Sequence, residues 1–181
     1  MPSPYQTAPN GGARIITATL SMLALALSSA TSVRAQEKND ADAEFLTKVV
    51  PSIAGSVRII DYEVTNTSNA KVKEFAERVL KQHQGSVKTA SEHAKRLNVA
   101  VDADGEKESR EMLDKLSKLK GTDLDVAFLE WLSHIHHDTT LFDNEVKNGS
   151  DPELKAYAKG SITAGNEHLK EARELLAELK K

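Results

Sequence analysis

Apolar residues recur at steps of three and four along almost the whole chain after residue 43. This is the period of an α-helix that buries one face, and no sustained alternation of apolar and polar residues indicates strands. Aromatic residues make up only 4% of the sequence, which also favours helices because strands are enriched in them. The sequence therefore predicts an all-α protein.

The first two predicted helices are joined by a short polar break at residues 66–69. The apolar stripe before the break contains Pro51, where the first helix either kinks or begins, because proline removes a helical hydrogen bond. Ser68 or Asn69 then provides the N-cap of the second helix. This pair is expected to be antiparallel, since so short a connection leaves the chain no room to return along the bundle.

The third predicted helix runs from Thr122 to about Lys147, and the fourth begins in the run Gly149-Ser-Asp-Pro-Glu153, which supplies a stop, a cap and a proline in the first turn. A crossover of more than twenty residues, with a short helix around residues 112–119, joins the two pairs. Joining helices that run parallel requires the full length of the bundle. The pattern therefore favours a ferritin-like four-helix bundle with a short crossover helix over an up-down-up-down bundle.

Residues 1–35 have the pattern of an export signal. A basic residue precedes the apolar run at residues 15–27, and small residues precede Gln36 in the manner of a cleavage site. As a helix this run covers only about 20 Å, short of the ~30 Å hydrocarbon core of a bilayer. We expect a signal peptide followed by a single bundle domain at residues 36–181, periplasmic or secreted, which is not an integral membrane protein after cleavage.

The composition excludes several classes of function. The chain has no cysteine, which rules out disulfides, thiolate nucleophiles and iron–sulfur clusters. Its net charge of −3 becomes −5 when Arg14 and Arg34 leave with the signal peptide, so a nucleic-acid partner is not expected. No phosphate-binding loop or nucleophile motif is present.

Three histidines fall on the apolar sides of three predicted helices. His83 lies within the second stripe, His136 on the flank of the third, and His168 on the inward face of the last. Counting from the turns places the three at a similar height, and side chains lean toward the helix N-terminus. The sequence therefore predicts a site for a divalent transition metal at His83, His136 and His168, while buried histidines that only hydrogen-bond one another are the alternative.

The remaining histidine cluster is expected at the surface. His134 and His137 point away from the third stripe, and His134 with Asp138 could form a weak chelate. No histidine has a glutamate three residues before it, so the Glu-x-x-His ligands of di-iron enzymes are missing. Three imidazoles without a base or redox partner define no reaction, and the sequence favours a non-enzymatic role.

Several motifs resemble a family of exported bacterial proteins, domain of unknown function 4142. They are Val72-Lys-Glu-Phe-Ala76 with His83, Leu116-Ser-Lys-Leu-Lys-Gly121, Leu124-Asp-x-x-Phe128, His136, Asp151-Pro-Glu-Leu-Lys-Ala-Tyr157 and His168. The resemblance covers most of residues 44–176. It implies a ferritin-like helical fold and an export signal.

The chain departs from the family pattern at Ile162-Thr163, which replace a Leu-Pro pair, and at two positions where the family carries an acid. Ser56 stands where the family commonly carries a glutamate, and Gln82 replaces the aspartate before His83. Glu63 is one heptad after Ser56, about 10 Å along the helix, too far to take over that glutamate's place. Two functions remain: metal binding in storage, sensing or stress protection, and a non-catalytic interaction or stress-protection module with structural buried histidines.

Overall fold

The computed structural model describes residues 22–102, 104 and 107–181. Two compact units divide the chain, Met1–Ala35 and Gln36–Lys181. The beginning of the predicted signal peptide, residues 1–21, lies outside the described residues. Within the described residues the chain is helical without strands, which confirms the all-α class, and the helices are α1 (Met22–Asn66), α2 (Ala70–Arg96), α3 (Lys107–Leu116), α4 (Thr122–His137), α5 (Thr140–Asn148) and α6 (Pro152–Leu179).

α1 continues through Pro51 without a break. Buried residues flank the proline on both sides, with Val50 and Ile53 at 0% and 9% exposure, so packing on either side holds the helix together although one hydrogen bond is lost. The first helix therefore does not begin at Pro51, which was one of the two alternatives that the sequence left open. Among the helices that the structure describes, none has both the length and the apolar character needed to cross a membrane.

Side-chain caps fix the starts of α2 and α6 as predicted. The Asn69 side chain accepts hydrogen bonds from the backbone nitrogens of Lys71 and Val72. Asp151 accepts one from Leu154 N at 2.8 Å, and Pro152 occupies the first turn of α6. Each cap satisfies backbone donors that the first helical turn leaves without a partner.

The predicted continuous third helix is wrong, because α4 ends at His137 and α5 begins at Thr140. Asp138 adopts an extended backbone, and its side chain accepts a hydrogen bond from Thr140 N at 3.0 Å. Thr139 Oγ1 then donates to Asp143 Oδ2 at 2.6 Å. These local bonds compete with the helical ladder and break it, although the apolar period continues across the break.

The interior contains two apolar clusters. The first core cluster consists of Ile59, Ile60, Val72, Phe75, Ala76, Val79, Leu116, Leu124, Phe128, Leu129, Leu132 and Ala172. The second core cluster consists of Phe45, Leu46, Val49, Val50, Ile53, Ala90, Ala94, Leu154 and Ala158. The buried residues that separate the two clusters along α1, α2 and α6 include Ser56, His83 and His168. A polar layer therefore lies between two apolar parts of the helical interior.

Candidate metal centre

Three imidazoles meet in the polar layer. One ring nitrogen from each of His83, His136 and His168 lies within 4.8 Å of the others. The ring centroids are 4.9 Å apart for His136 and His168, 5.4 Å for His83 and His136, and 5.8 Å for His83 and His168. The convergence predicted from the spacing of the three residues is thus present, although α4 ends one residue after His136.

Each histidine is positioned by the packing of its own helix. His83 and His168 are 8% and 7% exposed, because they continue the buried faces of α2 and α6. His136 lies in the last turn of α4, and its ring lies beside Gly165 of α6. A β-carbon built on Gly165 would lie 3.0 Å from His136 Nδ1, so the ring packs against backbone that carries no side chain.

Hydrogen bonds order two of the three rings. Gln82 Oε1 accepts from His168 Nε2, and since an amide oxygen can only accept, Nε2 carries the proton of the neutral ring. His168 Nδ1 then holds a lone pair and accepts from His136 Nε2 at 3.2 Å. The second ring nitrogen of a metal-binding histidine is usually held by such a partner, and Gln82 provides it although the family resemblance expects aspartate there.

Burial keeps the three imidazoles neutral. Removal from water lowers the pKa of His83 to about 4 and that of His136 to about 3, and the neighbouring histidines add to both shifts. Burial also lowers the pKa of His168. Neutral imidazole is the form that binds a metal ion. His83 Nδ1 is moreover buried without a hydrogen-bond partner among the described residues, which leaves one ring nitrogen unsatisfied in the protein alone.

A pocket of about 380 Å³ opens beside the histidines. Its walls are mainly apolar, with Ile53, Ile135, Phe142 and Ile162 among the lining residues. Hydroxyl groups on the wall are already paired, since Tyr157 Oη and Ser86 Oγ lie 2.7 Å apart. Gln82 and Asp138 also line the pocket and are bonded to His168 and Thr140, so the imidazoles are the lining groups that offer ring nitrogens to a metal ion.

The other predicted surface residues stay outside this centre. His134 and His137 are exposed on α4, as expected. The exposed Asp138 is held by its hydrogen bonds to Thr140, which lower the pKa of its carboxyl. Within the described part of the chain, no carboxylate joins the three imidazoles within 4.8 Å.

A second group of possible ligands is already occupied by an arginine. His93, Asp151 and Glu153 bring ligand atoms within 4.8 Å of one another. Arg96 makes two 2.7 Å bonds to Asp151 and lies 3.4 Å from Glu153. Its Nη2 is also 3.0 Å from His93 Nδ1. The guanidinium group supplies the positive charge that these acids need, so this cluster is an ion-pair network.

Sequence reasoning missed two buried carboxyl groups away from the histidines. Glu63 is fully buried beside Asp125. Its pKa is raised to about 8, mainly by burial and to a smaller extent by Asp125. Glu145 is fully buried near Asp42, and burial with that acid raises its pKa to about 7. Both follow a residue of the predicted apolar stripe by three positions, Ile60 and Phe142, which is the signal that could have identified them.

The acids next to Glu63 and Glu145 accept hydrogen bonds from other residues. Asp125 Oδ1 accepts from Thr67 Oγ1 at 2.6 Å, and Asp42 accepts from Ser150 N at 2.7 Å. The oxygens of Glu63 and Glu145 have no hydrogen bond of good geometry within the described structure. Protonation is the way a buried carboxyl without partners avoids an uncompensated charge.

Comparison with known proteins identifies one relationship. No curated protein and no solved structure matches the chain. The family described as "Domain of unknown function (DUF4142)" matches residues 27–175, a span that includes all three histidines of the polar layer. The resemblance inferred from the sequence motifs is thereby confirmed at the level of the family. This chain belongs to the DUF4142 family.

Proposed function

We propose that this protein binds one divalent transition metal ion through His83, His136 and His168. The observation that carries the proposal is the convergence of three ring nitrogens within 4.8 Å in the bundle interior. Three imidazoles from different helices are a ligand set that Zn²⁺ and similar ions accept, with a fourth position left for water or another ligand. Storage, sensing or stress protection are roles that reversible binding of such an ion would serve.

Two further features support the proposal. The lowered pKa values of His83 and His136 keep the rings in the ligating form near neutral pH. His83 Nδ1, which lacks a hydrogen-bond partner among the described residues, is one of the two ring nitrogens that a metal ion could bind, and binding there would remove the cost of a buried polar atom without a hydrogen bond.

Titration of the untagged, metal-free protein with Co(II) tests the proposal, with the visible absorption of the bound ion as the signal. We expect saturation at one ion per chain. His83→Ala and His168→Ala should each lower the affinity by more than the about 10- to 100-fold that loss of an outer-shell partner causes. The matched controls are His134→Ala and His137→Ala, exposed histidines on α4, which should leave the titration unchanged.

A structural role for the histidines is the second candidate, favoured by the hydrogen-bonded chain from His136 through His168 to Gln82. In that case the imidazoles fill and order the polar layer, and the protein is a non-catalytic interaction or stress-protection module. Absence of saturable Co(II) binding to the wild-type protein would contradict the metal proposal and favour this one.

The fold and the location complete the proposal. We assign the second unit to the ferritin-like four-helix architecture, with α3 as the crossover element between the α1–α2 pair and the pair formed by α4–α5 and α6. We further propose that residues 1–35 are a signal peptide removed on export; the boundary of the compact units at Ala35 supports this. The mass of the protein recovered from the periplasm tests the cleavage, which should leave Gln36 as the first residue.

A further inference from the structure

The pocket beside the histidines has the size and lining of a small-molecule site. Its volume of about 380 Å³ is at the lower end of the roughly 300–1,000 Å³ found for ligand pockets. Ile53, Ile135, Phe142 and Ile162 contribute apolar wall from α1, α4, α5 and α6. A molecule bound here would bury an apolar body against these side chains and turn its polar group toward the imidazoles.

The charge at the imidazoles determines which polar group is favoured. A divalent ion held by three neutral rings keeps its full double positive charge, because no carboxylate of the described residues lies within the ligand group. A negative ligand in the open fourth position offsets part of that charge, and the attraction is strong in a site of low dielectric constant.

We propose, resting on the metal site above, that the pocket binds a small organic monoanion. Its carboxylate completes the coordination of the metal, and its short aliphatic or aromatic body fills the apolar chamber. The hydroxyl groups of Tyr157 and Ser86 lie 2.7 Å apart and bond each other, and the Asp138 carboxylate, which also lines the pocket, accepts a hydrogen bond from Thr140 N. These polar groups therefore already have partners within the protein, and the ligand needs no second polar group.

The experiment is a titration of the Co(II)-loaded protein with acetate, butanoate and hexanoate, followed by the visible absorption of the metal. We expect each carboxylate to change the spectrum and the dissociation constant to fall about fourfold for each added methylene, the factor that corresponds to burying one CH₂ group. Equal affinity for acetate and hexanoate would overturn the proposal, because the apolar chamber would then contribute nothing.

Two glycines provide a matched pair of variants. Gly160 lines the pocket on α6, and Gly85 is an exposed helical glycine on α2 outside the lining. A β-carbon added to either glycine would meet no atom within 4 Å. Gly160→Leu adds a side chain to the pocket wall and should reduce the gain from acetate to hexanoate while Co(II) still binds. Gly85→Leu should behave as wild type.

The outcomes separate this proposal from the one on which it rests. Failure of Co(II) to bind overturns both. Saturable Co(II) binding with no spectral response to hexanoate overturns only the ligand proposal, and so does a Gly160→Leu variant that keeps the full dependence on chain length.

Discussion

At the scale of single residues, one amide oxygen decides which nitrogen of His168 is available to a cation. Gln82 Oε1 accepts from Nε2 and leaves the lone pair on Nδ1, the nitrogen that faces His136. Gln82 is exposed and contributes no ligand of its own to the group of three. If the proposed metal ion binds, Gln82 would act on it through the orientation and tautomer of the His168 ring.

Replacing Gln82 by methionine, which keeps the length of the side chain and removes the acceptor, should lower Co(II) affinity about tenfold. Gln82→Glu should retain the affinity, since a carboxylate accepts the same hydrogen bond. The matched control is Gln84→Met, an exposed glutamine on the same helix, which should bind Co(II) like the wild type. Equal affinities for Gln82→Met and Gln84→Met would show that the hydrogen bond has no part in metal binding.

At the scale of elements, α6 contains two glycines with opposite surroundings. Gly160 has open space where a β-carbon would lie, whereas the position at Gly165 is 3.0 Å from His136 Nδ1. Glycine within a helix costs roughly 0.5–1 kcal/mol relative to alanine because it has more conformational freedom in the unfolded chain. The first glycine thus weakens the helix without a contact that requires it, and the second provides room for a ring.

We expect Gly160→Ala to raise the free energy of unfolding by roughly 0.5–1 kcal/mol, measured by urea denaturation. Gly165→Ala should displace the His136 ring by a few tenths of an ångström and lower Co(II) affinity about tenfold, since ligand rings must be held in place. A Gly165→Ala protein that gains stability like Gly160→Ala and binds Co(II) normally would contradict the role assigned to this glycine.

The elements also show where sequence patterns succeed. The spacing of apolar residues predicts which faces of α2 and α6 are buried, and His83 and His168 lie on those faces. Cap residues such as Asn69 predict helix starts because capping is a local interaction.

The spacing of apolar residues does not predict features that depend on competition between hydrogen bonds or on residues distant in the sequence. The apolar stripe continues from Ile135 to Phe142, so nothing in its period marks the break that Asp138 creates by bonding Thr140 N. The pairing of Glu63 with Asp125 joins residues 62 positions apart. A helical pattern states that a residue is buried, but it does not state which residue of another helix it meets.

At the scale of the whole molecule, two sets of buried groups give opposite dependences of stability on pH. Between pH 4.5 and about 8 the folded protein holds a proton on Glu63 that the unfolded chain releases, and Glu145 behaves alike up to about 7. The stability that these two protonated carboxyls contribute is fully present below pH 4.5 and is lost as the pH rises toward their raised pKa values. Below 6.5 the unfolded chain protonates its histidines, while His83 and His136 stay neutral down to about 4 and 3, so stability is lost as the pH falls.

We therefore expect the metal-free protein to be most stable between about pH 4.5 and 6.5, where the two contributions oppose each other. Urea denaturation with a chelator present, from about pH 4 to about 8.5, measures the profile. Glu63→Gln should flatten the decline above pH 6.5, because the amide has no proton to lose. Stability that rises steadily from pH 6.5 to 8 would contradict the assignment of protonated carboxyls in the interior.

The break between α4 and α5 separates two parts of the site mechanically. His136 is on α4, which packs into the first core cluster, whereas Phe142 is on α5, where it contacts Phe45 of the second core cluster with ring centroids 5.4 Å apart. Asp138 and Thr139 interrupt the helix between His136 and Phe142. A shift of α5 is therefore not transmitted along one rigid helix to the His136 imidazole. We therefore expect mutations in α5 to change which molecules bind in the proposed pocket while the orientation of the three imidazole rings stays the same.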